Sequence, residues 1–304
     1  MEYHKDRDYA EKFRERDEML ITVDMQKVIL LPRLEQYKRC LFTRRVVAIN
    51  QSFVPIGTQK GEKPRGVLWH EAICGRNDED VASAFFKVLT LPENRDVRKW
   101  TMWLDNCSGQ NKCWTLYTML ADVINRKDVY FSSLKLKYFT SGHTFMSADY
   151  FHRDVEKEMN DMNNVYDFHD FRRCVARAGN ATLMELGDFF DFEKGLSQGK
   201  ASKESRPLLC NVASVEFRKG STSLWYKLKH TDAQYQECTF LKRKIVKKIQ
   251  NGTYYVRAKT ELRGIQAEKK THILKQLGGL MPPNRRQFFQ ELPVSNAYDM
   301  LEEV

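Results

Sequence analysis

The sequence has no long apolar run and no organised set of cysteines. None of its apolar stretches approaches the roughly 18 residues that cross a membrane, and its charged N-terminus lacks the apolar core of a signal peptide. The seven cysteines are an odd number and include no Cys-x-x-Cys pair, which argues against a disulfide framework and against a structural zinc site. We therefore expect a soluble intracellular protein with no membrane partner.

Acidic residues are scarce in the last third of the chain. Residues 200–304 hold 20 Lys+Arg against 10 Asp+Glu, whereas residues 1–199 hold 30 Lys+Arg and 30 Asp+Glu. The whole net charge of +10 therefore lies in the C-terminal part. A basic region beside a neutral one favours a polyanion partner, most often nucleic acid, over a surface that serves only solubility. The cations expected to contact DNA phosphates are Lys242, Arg243, Lys244, Lys247 and Lys248.

The apolar pattern predicts three strands, a helix, a strand, a helix, a strand and a further helix. In chain order, these elements span residues 19–23, 44–50, 66–73, 78–91, 100–104, 114–124, 129–139 and 147–162. A Gly- and Lys-rich linker between the second and third strands indicates a hairpin. Antiparallel hairpins followed by strand–helix alternation are typical of the ribonuclease H-like fold, so we predict an α/β protein with a mixed sheet flanked by helices.

Acids stand at matching positions in this pattern. Asp24 ends the first predicted strand, Asp105 ends the fourth, and Asp149 lies at the start of the last predicted helix, whose N-cap is expected to be Ser147. In a ribonuclease H-like sheet the first and fourth strands are neighbours, which would bring these acids to one sheet edge. Glu156, two helical turns beyond Asp149, is the alternative third acid. Any one of these acids alone is more easily explained as a helix cap or first-turn residue.

Three converging carboxylates repel each other unless a divalent cation lies between them. Carboxylate oxygens suit Mg²⁺ or Mn²⁺, and two such ions can support phosphodiester cleavage or strand transfer. The expected catalytic residues and metal ligands are Asp24, Asp105 and Asp149, with His143 as an auxiliary residue. His143 and His152 together with Asp149 would also suggest a zinc site, but the remaining ligands do not occur at a recognised spacing.

Two motifs resemble a known family. The segments Asp105-Asn-Cys-Ser-Gly-Gln-Asn-Lys112 and Gly142-His-Thr-Phe-Met-Ser-Ala-Asp149, with Glu156 and the tail over 269–283, resemble transposase-like proteins of unknown function that occur in many copies in animal genomes. The resemblance implies a DDE/D transposase core of the ribonuclease H-like type, which uses divalent metal to cut and join DNA. It also implies Asp24, Asp105 and Asp149 as the acids, a possible homo-oligomer and a nuclear location.

Four polar residues within the first motif are also expected to bind nucleic acid: Asn106, Gln110, Asn111 and Lys112. The predicted organisation is an N-terminal helix over 1–18, a catalytic core over 19–165, a connecting segment over 166–205 and a smaller basic α+β module over 206–304. Two alternatives to a metal-dependent nuclease or strand-transferase stay open. One is a host-recruited DNA-binding protein without catalysis, and the other is a metal-dependent exonuclease of the same fold.

Overall fold

A ten-stranded mixed sheet forms the centre of the molecule in the computed structural model, which describes residues 2–57, 62–106, 110–140, 146–192, 195–199 and 203–295. The sheet strands are β1 (Glu18–Met25), β2 (Ile29–Leu31), β4 (Val46–Pro55), β5 (Arg65–His70), β6 (Lys99–Leu104), β7 (Ser133–Tyr138), β9 (Asn180–Leu183), β10 (Ser214–Arg218), β11 (Leu224–Lys227) and β12 (Gln236–Cys238). Two short pairs lie outside it: β3 (Arg33–Leu34) with β8 (Asn164–Val165), and β13 (Ile265–Gln266) with β14 (Val294–Ser295).

Helices cover both faces of the sheet. Those in the described residues are α1 (Glu2–Lys12), α2 (Asp78–Leu89), α3 (Trp114–Val123), α4 (Ser147–Met162), α5 (Phe168–Ala178), α6 (Arg243–Gln250), α7 (Ala267–Leu277) and α8 (Pro283–Glu291). One hydrophobic core joins the sheet to α2, α3 and α6, and a second joins its other face to α4, α5, α7 and α8. No helix within the described ranges is both long and apolar enough to cross a membrane.

The strand order is β12-β11-β10-β7-β6-β1-β4-β5-β9, with β2 paired to β4. Strands β4 and β5 form the predicted antiparallel hairpin, and β4 also pairs antiparallel with β1. The neighbours on the other side of β1 are β6 and then β7, and both of these pairs are parallel. The first and fourth predicted strands, β1 and β6, are therefore adjacent, as expected from the sequence.

Successive side chains of a strand point to opposite faces of the sheet, so one strand contributes to both cores. On β1, Leu20 contributes to the core under α4, whereas Ile21 and Val23 contribute to the opposite core. Helix α4 fits the first of these faces because Phe151, Val155 and other apolar residues recur at a spacing of four and are buried together. The predicted bounds of this helix, 147–162, are confirmed.

The C-terminal strands extend the central sheet, which corrects the prediction that they belong to a separate smaller module. Strand β10 pairs antiparallel with β7 over five residues, and β11 and β12 continue the sheet from it. The segment predicted as a connection contains α5 and β9, and β9 pairs in parallel with β5. Both additions were missed because pairing between distant strands leaves no local signal in the sequence.

Candidate functional site

Asp24 and Asp105 meet at one edge of the sheet because their strands run in parallel and in register. Val23 on β1 pairs with Leu104 on β6, so the two acids follow equivalent positions. Strand β1 continues to Met25, which makes Asp24 a residue of the strand rather than its first successor. Because side chains alternate along a strand, Asp24 lies on the same face of the sheet as Leu20, and Asp105 on the same face as Trp103. Helix α4 covers this face.

The Asp24 carboxyl is partly buried and surrounded by negative charge. Its side chain is 23% exposed. Burial, followed by the charges of Asp105 and Asp149, raises the pKa of Asp24 to about 7, although a hydrogen bond from the Met25 backbone opposes this shift. Asp105 and Asp149, the other two acids predicted from the sequence, are thus both near enough to affect Asp24. A cation bound nearby would strongly stabilise the ionised form of a carboxylate in this setting.

His152 is the basic side chain next to Asp24, but it does not supply that cation. Its Nδ1 lies 3.8 Å from Asp24 Oδ2, and its Nε2 forms a 2.9 Å hydrogen bond with Ser52 Oγ. Burial lowers the pKa of His152 to about 4, against the opposing effect of Asp149. The imidazole is therefore neutral at neutral pH. His143, the predicted auxiliary residue, lies outside the described residues.

Asp149 approaches the same edge from the first turn of α4. Its Oδ2 accepts a 2.8 Å hydrogen bond from the backbone N–H of Met146, which is the N-cap of the helix. Ser147, the expected N-cap, is instead the first helical residue, and its Oγ contacts the hydroxyl of Tyr3 at 3.1 Å. The helix start is thus closed by an acid at its third position, a common capping arrangement.

Glu156, the alternative third acid, is turned toward a different partner. Arg33 Nη1 lies 2.7 Å from Glu156 Oε1, and the same guanidinium also contacts Glu35 and Asn160. Glu156 therefore pairs with a cation from β3. Asp149, in contrast, is among the charges that raise the pKa of Asp24.

Asn111 and Lys112 are buried, which corrects the prediction that they contact DNA. They are 4% and 3% exposed. The Asn111 side-chain amide donates to Asp105 Oδ1, and Lys112 Nζ donates to the carbonyl of Val212 at 2.7 Å. Their polar groups are thus used inside the protein. Burial lowers the pKa of Lys112 to about 8, an effect that the nearby Cys210 and Asp105 oppose.

The other two polar residues of this motif remain partly accessible. Asn106 and Gln110 are both half-buried. The Gln110 amide lies 3.9 Å from Met25 Sδ, which places it beside the end of β1. Their predicted contact with phosphate stays a prediction.

The basic segment predicted to bind DNA forms helix α6. Its buried face consists of Ile245 and Ile249, which pack into the core beside α3. The predicted cations occupy the opposite side, where all are exposed: Lys242, Arg243, Lys244, Lys247 and Lys248. Among the residues that the structure describes, none of these cations forms an ion pair. The last four also line a shallow concavity with Asn251 and Thr253.

The acids have the chemistry of a divalent-cation site but are not arranged as a ligand set in this conformation. Within the described part of the chain, no group of three or more His, Cys, Asp or Glu side chains has a geometry that could hold a metal ion. Asp149 is engaged with the Met146 backbone and Asp105 with Asn111. The donor chemistry nevertheless fits a hard cation, because all three groups are carboxylates. Burial, together with the charges of Asp105 and Asp149, also raises the pKa of Asp24.

Comparison with known proteins does not place the chain in a family. No family model matches it, and neither a curated protein nor a solved structure is detectably similar. The site is therefore defined by its own geometry: acids from β1, the end of β6 and the start of α4 around one sheet edge.

Proposed function

We propose that this protein is a divalent-metal-dependent nuclease or strand-transferase of the ribonuclease H-like, transposase-derived type, acting on DNA phosphodiesters. The strand order β5-β4-β1-β6-β7 supports this fold, because antiparallel pairs on one side of β1 and parallel pairs on the other reproduce the expected arrangement. The observation that carries the function is the register of β1 and β6, which places Asp24 and Asp105 at equivalent positions on one sheet edge near Asp149.

Asp24, Asp105 and Asp149 would hold the cation. When bound, a divalent ion activates a nucleophile and stabilises the leaving oxygen of the phosphodiester. The chain itself supplies negative charge at the ends of two adjacent strands, where a cation reduces the repulsion among the carboxylates. Neutral His152 lies against Asp24 and adds no competing positive charge at neutral pH.

The Asp149→Asn variant is expected to lose Mn²⁺-dependent cleavage of supercoiled plasmid DNA by more than about 100-fold. Loss of a residue that only supports a metal ligand already costs about 10–100-fold, so loss of a ligand should cost more. The Asn carbonyl can still accept the hydrogen bond from Met146, which preserves the start of α4. Plasmid nicking at a fixed Mn²⁺ concentration measures the effect.

Glu156→Gln is the matched control, because it removes one carboxylate from the same helix. Its ion pair with Arg33 is 44% exposed on the Glu side and contributes at most about 1 kcal/mol to stability. We expect cleavage close to that of the wild type. If Glu156→Gln abolishes cleavage and Asp149→Asn does not, Glu156 is the third acid.

The exposed cations of α6 are proposed to contact the DNA backbone without reading its sequence. Each lost phosphate contact should reduce the slope of log K against log salt by about 0.9. We therefore expect a markedly shallower slope, measured by DNA titration at several salt concentrations, when five residues are changed to Gln together: Lys242, Arg243, Lys244, Lys247 and Lys248. Lys275→Gln, which removes an exposed cation from α7, should leave the slope within about 1 of the wild type; an unchanged slope in the fivefold variant would refute the proposal.

A second function, DNA binding without catalysis, is favoured by one observation. The Asp149 carboxylate caps its own helix, and the described acids do not form a ligand set. Such a protein would keep the salt-dependent DNA binding of α6 and would show no plasmid nicking with Mg²⁺ or Mn²⁺. The two functions are thus separated by the same pair of assays.

A further inference from the structure

Asn111 makes a direct contact with one of the proposed metal ligands. Its side-chain Nδ2 donates a hydrogen bond to Asp105 Oδ1, and only 4% of the residue is exposed. Water therefore competes little for the Asn111 amide. A neutral amide is suited to this position, because it donates to the carboxylate without adding another negative charge beside Asp24.

Two buried tyrosines hold the backbone of Asn111. The Tyr138 hydroxyl donates to the Asn111 carbonyl at 2.9 Å, and the Tyr117 and Tyr138 hydroxyls are 2.8 Å apart. Because Tyr138 donates its proton to Asn111, its oxygen is left to accept from Tyr117. The chain of hydrogen bonds thus starts on α3, crosses the end of β7 and reaches Asp105 through Asn111.

Lys112 braces the same segment from its other side. Its ammonium donates to the Val212 carbonyl and lies 4.5 Å from the centre of the Tyr138 ring. Val212 belongs to the segment that leads into β10. The two residues after Gln110 are therefore held by contacts with Tyr138 of β7 and with the approach to β10, and Tyr117 of α3 supports Tyr138. All of these partners belong to the hydrophobic core.

We propose that Asn111 is a positioning residue that fixes the orientation of the Asp105 carboxylate for cation binding, and that Tyr138, Tyr117 and Lys112 keep Asn111 in place. This inference rests on the proposed metal-dependent function. An amide hydrogen bond to one carboxylate oxygen restricts rotation of the group, so less orientational freedom is lost when a cation binds. The segment from Asp105 to Lys112 would then serve to orient the Asp105 carboxylate.

The test measures Mn²⁺ affinity by isothermal titration calorimetry, together with urea unfolding of the metal-free proteins. Asn111→Leu keeps the side-chain size but cannot donate, and should weaken Mn²⁺ binding by about 10-fold or more. Tyr138→Phe touches no ligand and removes only the hydroxyl behind Asn111, so we expect a smaller weakening of several-fold. Tyr226→Phe is the matched control, because its hydroxyl bonds Gln236 on β12, away from the acids.

The outcomes separate this inference from the proposed function. If the wild type binds Mn²⁺, Asp105→Asn abolishes binding and both network variants bind like the wild type, Asn111 is only structural and the inference is wrong. If the wild type binds no Mn²⁺, the proposed function falls and the inference falls with it. Should Asn111→Leu fail to fold, Tyr138→Phe decides: weaker Mn²⁺ binding, with Tyr226→Phe unchanged, supports the positioning role, and unchanged binding refutes it.

Discussion

Replacing Asp24 by Asn is expected to stabilise the metal-free protein at pH 8 by up to about 4 kcal/mol. The folded-state pKa of Asp24 is raised from 3.8 to about 7, and each unit of difference corresponds to about 1.4 kcal/mol. The folded protein holds the proton more tightly than the unfolded chain, so this contribution is complete below pH 3.8 and is lost as the pH rises to about 7. Asn stays neutral and avoids that loss. Urea unfolding with a chelator from pH 4 to 8 measures the difference.

Added Mn²⁺ should narrow the difference in stability between the two proteins, because it stabilises only the wild type. A cation bound only by the folded state stabilises it by about 2.7 kcal/mol at 100 times its dissociation constant. We expect this gain in the wild type at pH 8 and not in Asp24→Asn. If Asp24→Asn gains as much from Mn²⁺ as the wild type does, the cation does not bind at Asp24.

Asp122→Asn provides the matched control for this experiment. Asp122 lies near the C-terminal end of α3, and burial raises its pKa to about 7 against the opposing charge of Arg126. The variant should therefore show a similar relief of the pH-dependent loss of stability. Because Asp122 is not one of the proposed ligands, its response to Mn²⁺ should match that of the wild type. The control separates removal of a buried acid from removal of a ligand.

Replacing Lys269 by Met is expected to lower the free energy of unfolding by about 3–5 kcal/mol. The Lys269 and Glu71 side chains are both completely buried, and Lys269 Nζ lies 2.5 Å from Glu71 Oε1. Lys269→Met removes the closer cation from a buried carboxylate, and Arg263, 3.6 Å from Glu71 Oε2, compensates that charge only in part. This loss is far more costly than loss of a surface ion pair. Urea unfolding at pH 7 measures the effect. This pair attaches α7 to the sheet, since Glu71 directly follows β5 and also accepts a 2.7 Å hydrogen bond from the Val47 N–H.

Two further variants test the origin of that loss. Lys275→Met changes an exposed lysine of the same helix and should alter stability by no more than about 0.5 kcal/mol. The double variant Lys269→Met with Glu71→Gln should recover part of the loss, because the remaining buried group is neutral. Equal stability of the single and double variants would show that Arg263 by itself compensates the Glu71 charge.

The sequence alone predicted the elements whose side chains follow a local period. The bounds of α4 and the position of β6 followed from regular apolar spacing. Asp24 and Asp105 were assigned to the ends of strands β1 and β6, and their proximity was predicted from topology. What made this possible is that parallel neighbours place equivalent strand ends at one edge of a sheet.

Tertiary structure decided the partners of the polar residues. Asn111 and Lys112 look like nucleic-acid contacts in the sequence, because no local pattern distinguishes a buried donor from an exposed one. Their burial depends on Tyr138 from β7 and on Val212 before β10. Strands β10 to β12 likewise belong to the main sheet because β10 pairs with the edge of β7 that faces away from β6. The sequence was sufficient to predict that Asp24 and Asp105 lie at the ends of neighbouring strands. Which side chains contact these acids is determined by packing between distant segments, and the sequence alone does not predict it.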